Sequence, residues 1–106
     1  MEENIIISYA KTIELKDVTA ATTVAMDANM QVDSAHAENT SAGATVDLGN
    51  QSAGTELGTA TCTVADTDYP MVPTVVGPYA ENAAWTLHVT PSGGTAQVYI
   101  KVLQYK

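Results

Sequence analysis

Along its last quarter the chain alternates apolar and polar side chains with a period of two. Trp85, Leu87 and Val89 are interleaved with Thr86, His88 and Thr90, and Ala96, Val98, Ile100 and Val102 with Gln97, Tyr99 and Lys101. Successive side chains of a strand point to opposite sides, so this alternation marks two strands with one buried face each. The turn residues Pro91-Ser92-Gly93-Gly94 between them predict a β-hairpin. Tyr99, Leu103 and Tyr105 fall on the second face. A strand that is apolar on both sides is usually covered on both, which makes these residues candidate contacts for a partner.

The rest of the chain reads as shorter strands divided by turn chemistry. Ile5 to Tyr9 and Thr12 to Leu15 place Ile5, Ile7, Ile13 and Leu15 on one face, and Lys16-Asp17 then reads as a turn. Val18, Ala20, Thr22, Val24 and Met26 share the next face. Asp27 to Thr40 has no clean period; its Asp, Asn and Ser favour a loop, and its Ala, Met and Gln allow one helical turn. Ala44 to Leu48 and Glu56 to Ala65 predict strands, separated by Gly49-Asn50 and Ser52-Ala53-Gly54. Asp66 to Pro70 closes the second, because Pro has no N–H for a ladder. Pro73 to Val76 suits an edge strand or a crossing connection.

About eight short strands and almost no helical period predict an all-β fold, an antiparallel β-sandwich with the jelly roll among its arrangements. No internal repeat or linker divides residues 1–106, which form one domain. Ile5, Ile6 and Ile7 cannot all face one core, so residues 1–7 are a candidate N-terminal contact arm.

Composition changes this picture in two ways. Ala, Val and Thr dominate, Phe is absent, and the aromatic residues are one Trp and five Tyr. A domain of this length buries only about 65% of its unfolded surface, so small side chains make a modest core that association would help to stabilise. Only 15% of residues are charged, with 12 acids against four Lys and a net charge of -8. Nucleic acids and anionic membranes require clustered cations, so neither is expected as a partner. The acidic start Met1-Glu2-Glu3 with a very short apolar run does not read as an export signal. A Thr-rich, Lys-poor surface on a chain made in the cytoplasm fits a virion protein.

No reaction motif is present. His36 lies with Asp33 and Glu38 in the uncertain stretch, a triplet able to supply two oxygens and a nitrogen to a metal, although acidic loops produce such triplets often and no metal is predicted. His88 reads as a surface residue. Asp66-Thr67-Asp68 lacks the following Gly and distant Glu of a calcium loop and reads as turn capping. Glu14, Glu56 and Glu81 have ordinary contexts, and no Ser sits in a Gly-x-Ser-x-Gly elbow. The lone Cys62 reads as a small buried hydrophobe. The expectation is a protein with no cofactor and no enzymatic activity. Trp85 with Tyr79 or Tyr69 is the candidate platform for an alternative carbohydrate-binding or adhesin-like module, against its reading as core.

The whole-chain profile, about a hundred residues, rich in Ala, Thr, Gly and Val, acidic, nearly cysteine-free and β-dominated, resembles the small decoration or cement proteins of tailed-bacteriophage capsids. The resemblance is compositional, and no family residue maps onto a position here. It implies a subunit on the capsid surface that bridges copies of the major capsid protein, assembles as a homo-oligomer with a trimer favoured, and stabilises the shell. Head fibres and tail components have similar profiles. Ile5, Ile6, Ile7, Tyr99, Leu103 and Tyr105 are the candidate interface residues.

Overall fold

The computed structural model of the chain describes residues 7–73, 79–80 and 83–105. They form nine strands and no helix: β1 (Ile7–Val18), β2 (Thr22–Met26), β3 (Met30–Asn39), β4 (Ala44–Gly49), β5 (Gly58–Cys62), β6 (Tyr69–Pro70), β7 (Tyr79–Ala80), β8 (Trp85–Ser92) and β9 (Ala96–Tyr105). One sheet runs β1-β9-β3, with β6 and β7 both bridging to the far side of β3; the other runs β2-β8-β4-β5. Every pairing is antiparallel.

The pairing order has a simple origin. β4 pairs with β5, β3 with β6 and β7, β2 with β8, and β1 with β9, so the chain is one long ribbon doubled back at the β4–β5 end. Rolling that ribbon lays β9 against β3 and β8 against β4 and splits it into two facing sheets. This is the jelly roll.

The alternation in the last quarter reports the buried face correctly. Leu87, Val89, Ala96, Val98 and Ile100 are fully buried, with Val102 and Trp85 almost so. The predicted hairpin, however, does not form. β8 and β9 belong to different sheets, and the Gly93–Thr95 connection carries the chain across the sandwich. Period-two patterning fixes which way a side chain points and says nothing about which strand lies beside it.

Further expectations change. Asp27 to Thr40 is not a loop: it contains β3, a ten-residue strand in the middle of its sheet. Its inward residues Ala35, Ala37 and Asn39 are small or polar, and a bulge between Val32 and Ser34 shifts the register, so the period is hidden. Lys16-Asp17 is a bulge within β1, not a turn; Asp17 adopts φ 56 and the strand continues to Val18. The strand expected from Glu56 to Ala65 is confined to Gly58–Cys62. Pro73 lies outside any strand, and residues 74–76 fall outside the described residues.

Between the sheets, Met26, Val46, Leu48, Leu87, Val89, Val98, Ile100 and Val102 form the centre of the core. Trp85 closes one end, its indole Nε1 donating to the Met30 carbonyl at 3.3 Å. At the other end the buried Asn39 donates from Nδ2 to the Gly93 carbonyl (3.1 Å) and accepts from the Ser41 N–H (2.8 Å), which ties β3 to the β8–β9 crossing. Gly94 is required there. It adopts φ 60, and an added Cβ would collide with the Asn39 side chain and Ser41.

Candidate functional site

The register of the β1-β9-β3 sheet builds its outer face in rows. Glu14, Tyr99 and His36 stand side by side across the three strands, as do Thr12, Lys101 and Ser34, and then Ala10, Leu103 and Gln31. Side chains directly opposite one another on one face are close enough to interact, and in the first row His36 and Tyr99 do. The His36 and Tyr99 rings stack with centroids 5.0 Å apart and planes 21° from parallel. His36 Nδ1 meets Asp68 Oδ1 at 2.5 Å, so the residue that covers Tyr99 is held by the loop before β6. That loop is fixed in turn by the Tyr69 hydroxyl, which accepts from the Val64 N–H (3.0 Å) and shares a hydrogen bond with Thr63 (2.9 Å).

Charged groups are interleaved with these side chains, Lys101 standing between Tyr99 and Leu103. Lys101 Nζ lies 3.9 Å from Asp33, and Lys16 Nζ lies 3.8 Å from Glu14. Beside Tyr99 the face dips into a polar hollow of about 280 Å³, walled by Lys16, Glu38, Asp66, Thr95 and Gln97. Gln97 is committed to the bulge, accepting from the Asp17 N–H (3.2 Å) and donating to its carboxylate (3.0 Å).

The opposite sheet presents a different outer surface. Thr23, Ala25, Thr86, His88, Thr90, Thr45, Asp47, Thr59 and Thr61 lie on it, and among these Asp47 is the single acid. No Lys falls in its four strands; three of the four Lys sit on β1 and β9 and the fourth is Lys106.

Tyr99 and Leu103 are therefore both half-buried on the outer face expected for them. Ile7 opens β1 opposite Tyr105 in the register, while the side chains of both, and Ile5 and Ile6 altogether, fall outside the described residues. Of the suggested arm, only Ile7 is described, and it belongs to β1. Asp33, His36 and Glu38 do not converge. They lie along an extended strand, where five residues span about 16 Å. Asp33 faces Lys101, His36 faces Asp68, and among the described residues no cluster of metal-binding side chains occurs. Trp85 is core, so the carbohydrate platform proposed on it does not exist; the Tyr79 side chain is outside the described residues. Cys62 is buried, and burial, followed by the Asp68 and Glu38 carboxylates, pushes its thiol pKa up. The partnership of His36 and Asp68 with Tyr99 had no signal in the sequence, because it depends on β3 being a strand.

Comparison with known proteins finds no matching family model, no matching curated protein and no matching solved structure.

Proposed function

We propose that this jelly roll is a non-enzymatic structural subunit that decorates and stabilises a bacteriophage shell. It docks on the major capsid protein or another virion subunit through the outer face of the β1-β9-β3 sheet. The observation that carries the reading is the pair of half-buried side chains Tyr99 and Leu103 on that outer face, with Lys101 of the Lys101–Asp33 pair between them and the Lys16–Glu14 pair to one side. Tyr is enriched at protein interfaces, and a Lys stem can pack between such neighbours while its charged end meets a partner. The small-residue core and low surface charge suit a subunit stabilised by association. Jelly rolls recur among viral capsid domains, which raises the reading by fold analogy. Such a subunit is made in the host cytoplasm and acts as a homo-oligomer on the capsid surface.

Co-sedimentation with purified phage shells tests it. The wild-type chain pellets with shells, Leu103→Asp does not, and Thr86→Asp on the opposite sheet still does. No pelleting of the wild-type chain on any shell, or equal loss by both variants, overturns the reading.

The alternative is a carbohydrate-binding module, and the hollow beside Tyr99 is the observation in its favour, since polar walls next to an aromatic ring suit sugar hydroxyls. Glycan-array binding that disappears in Tyr99→Ala with the fold intact supports this alternative. An array with no signal ends it.

A further inference from the structure

We infer that two copies of this chain pair through β2, joining their β2-β8-β4-β5 sheets into one eight-stranded sheet across a twofold axis. The inference is independent of the shell-decorating role. It starts from the flank of the sandwich where β1 ends one sheet and β2 ends the other, each paired on one side only among the described residues.

The two edges are protected to very different degrees. β1 carries Lys11, Glu14, Lys16 and Asp17 and is bent by the bulge at Asp17, and charges and bulges are the devices that stop edge strands from pairing. β2 has none of them. It reads Thr-Thr-Val-Ala-Met, β-branched at its first three positions, without charge, Pro or Gly, and its register with β8 is unbroken from Thr22 to Met26. At the other end of the same sheet, β5 is capped. Its Thr59 N–H donates to the Val72 carbonyl (3.0 Å) and its carbonyl accepts from the Val72 N–H (2.9 Å). Among the described residues, β2 is thus the margin of this sheet left open.

The core is also incompletely covered on this flank. Val24 faces inward yet is only half-buried, as are Ile13 and Leu15 on β1. A twofold axis perpendicular to the sheet through Val24 keeps inner face with inner face and pairs the strands antiparallel. It sets Val24 against its own copy, Thr23 against Ala25, and Thr22 against Met26. The half-exposed valines then bury one another.

Charge, which would otherwise oppose self-association of a chain carrying -8, is absent from this margin. The first charged residue beyond β2 is Asp27, which falls opposite Ala21 of the copy. The two Asp27 side chains are then about 20 Å apart, well beyond the ~8 Å screening length at physiological salt. A second copy of the same chain is therefore a partner this edge fits in shape, hydrogen bonding and charge.

The test is the mass of the purified full chain by sedimentation equilibrium, with two double variants at the exposed positions Thr23 and Ala25. The wild type is expected at twice the 11.1 kDa chain mass. Thr23→Lys with Ala25→Lys sets like charges opposite each other at two places and weakens the dimer by about tenfold or more. Thr23→Lys with Ala25→Glu sets opposite charges there and keeps the dimer, with circular dichroism confirming the fold of both. A wild-type monomer or trimer, or a dimer equally indifferent to both variants, overturns the inference.

Discussion

The imidazole of His36 lies on the phenol ring of Tyr99, 5.0 Å between centroids, because the two residues occupy directly opposed positions on neighbouring strands β3 and β9. The same imidazole holds Asp68, so one exposed residue joins a strand pair to a loop. Stacked aromatic pairs contribute about 0.5–1.5 kcal/mol and a side-chain hydrogen bond about 1 kcal/mol. His36→Ala is expected to lower stability by about 1 kcal/mol in urea unfolding. A double-mutant cycle with Tyr99→Ala should return a coupling of roughly 0.5–1 kcal/mol; a coupling of zero would show that the stack is incidental.

Trp85 is the single tryptophan and is enclosed between the sheets with its Nε1 bonded to Met30. Its fluorescence should be blue-shifted and protected from acrylamide in the native state. Trp85→Ala should cost about 3–5 kcal/mol, the range for removing a large buried aromatic, and in so modest a core that is enough to unfold much of the population.

Gly94 combines a left-handed backbone with a crowded setting against Asn39 and Ser41. Gly94→Ala pays for both and should lose about 2 kcal/mol or more. Gly93 also has a positive φ, of 71, but open space around its Cβ position, so Gly93→Ala should lose less. The difference between the two denaturant midpoints measures the contact with Asn39. Equal losses would assign the whole effect to backbone conformation.

Cys62 is shielded from solvent, and its pKa is raised chiefly by that burial. Native protein should react with iodoacetamide far more slowly than unfolded protein at pH 8. Because the folded thiol holds its proton at pH values where the unfolded one has released it, this group's contribution to stability is present on the neutral side. It declines as pH rises past roughly 8.5, where an ordinary thiol ionises. Thermal scans should show that alkaline decline reduced in Cys62→Ala relative to its own neutral-pH value. An identical slope in both proteins would assign the decline to other groups.

The sequence by itself determined the all-β class and the inward face of its most regular strands. Trp85, Leu87, Val89, Val98, Ile100 and Val102 are buried as their alternation requires, because side-chain direction along a strand is a local property of the backbone. Where local geometry was broken, the reading broke with it: the bulge between Val32 and Ser34, together with inward Ala35, Ala37 and Asn39, concealed β3. Only the tertiary structure decided who pairs with whom. Backbone hydrogen bonds look alike on every strand, so nothing near Pro91-Ser92-Gly93-Gly94 signalled that β8 and β9 part into different sheets. The same long-range rolling placed β9 between β1 and β3, brought His36 and Asp68 to Tyr99, and left β2 as an open edge among the described residues.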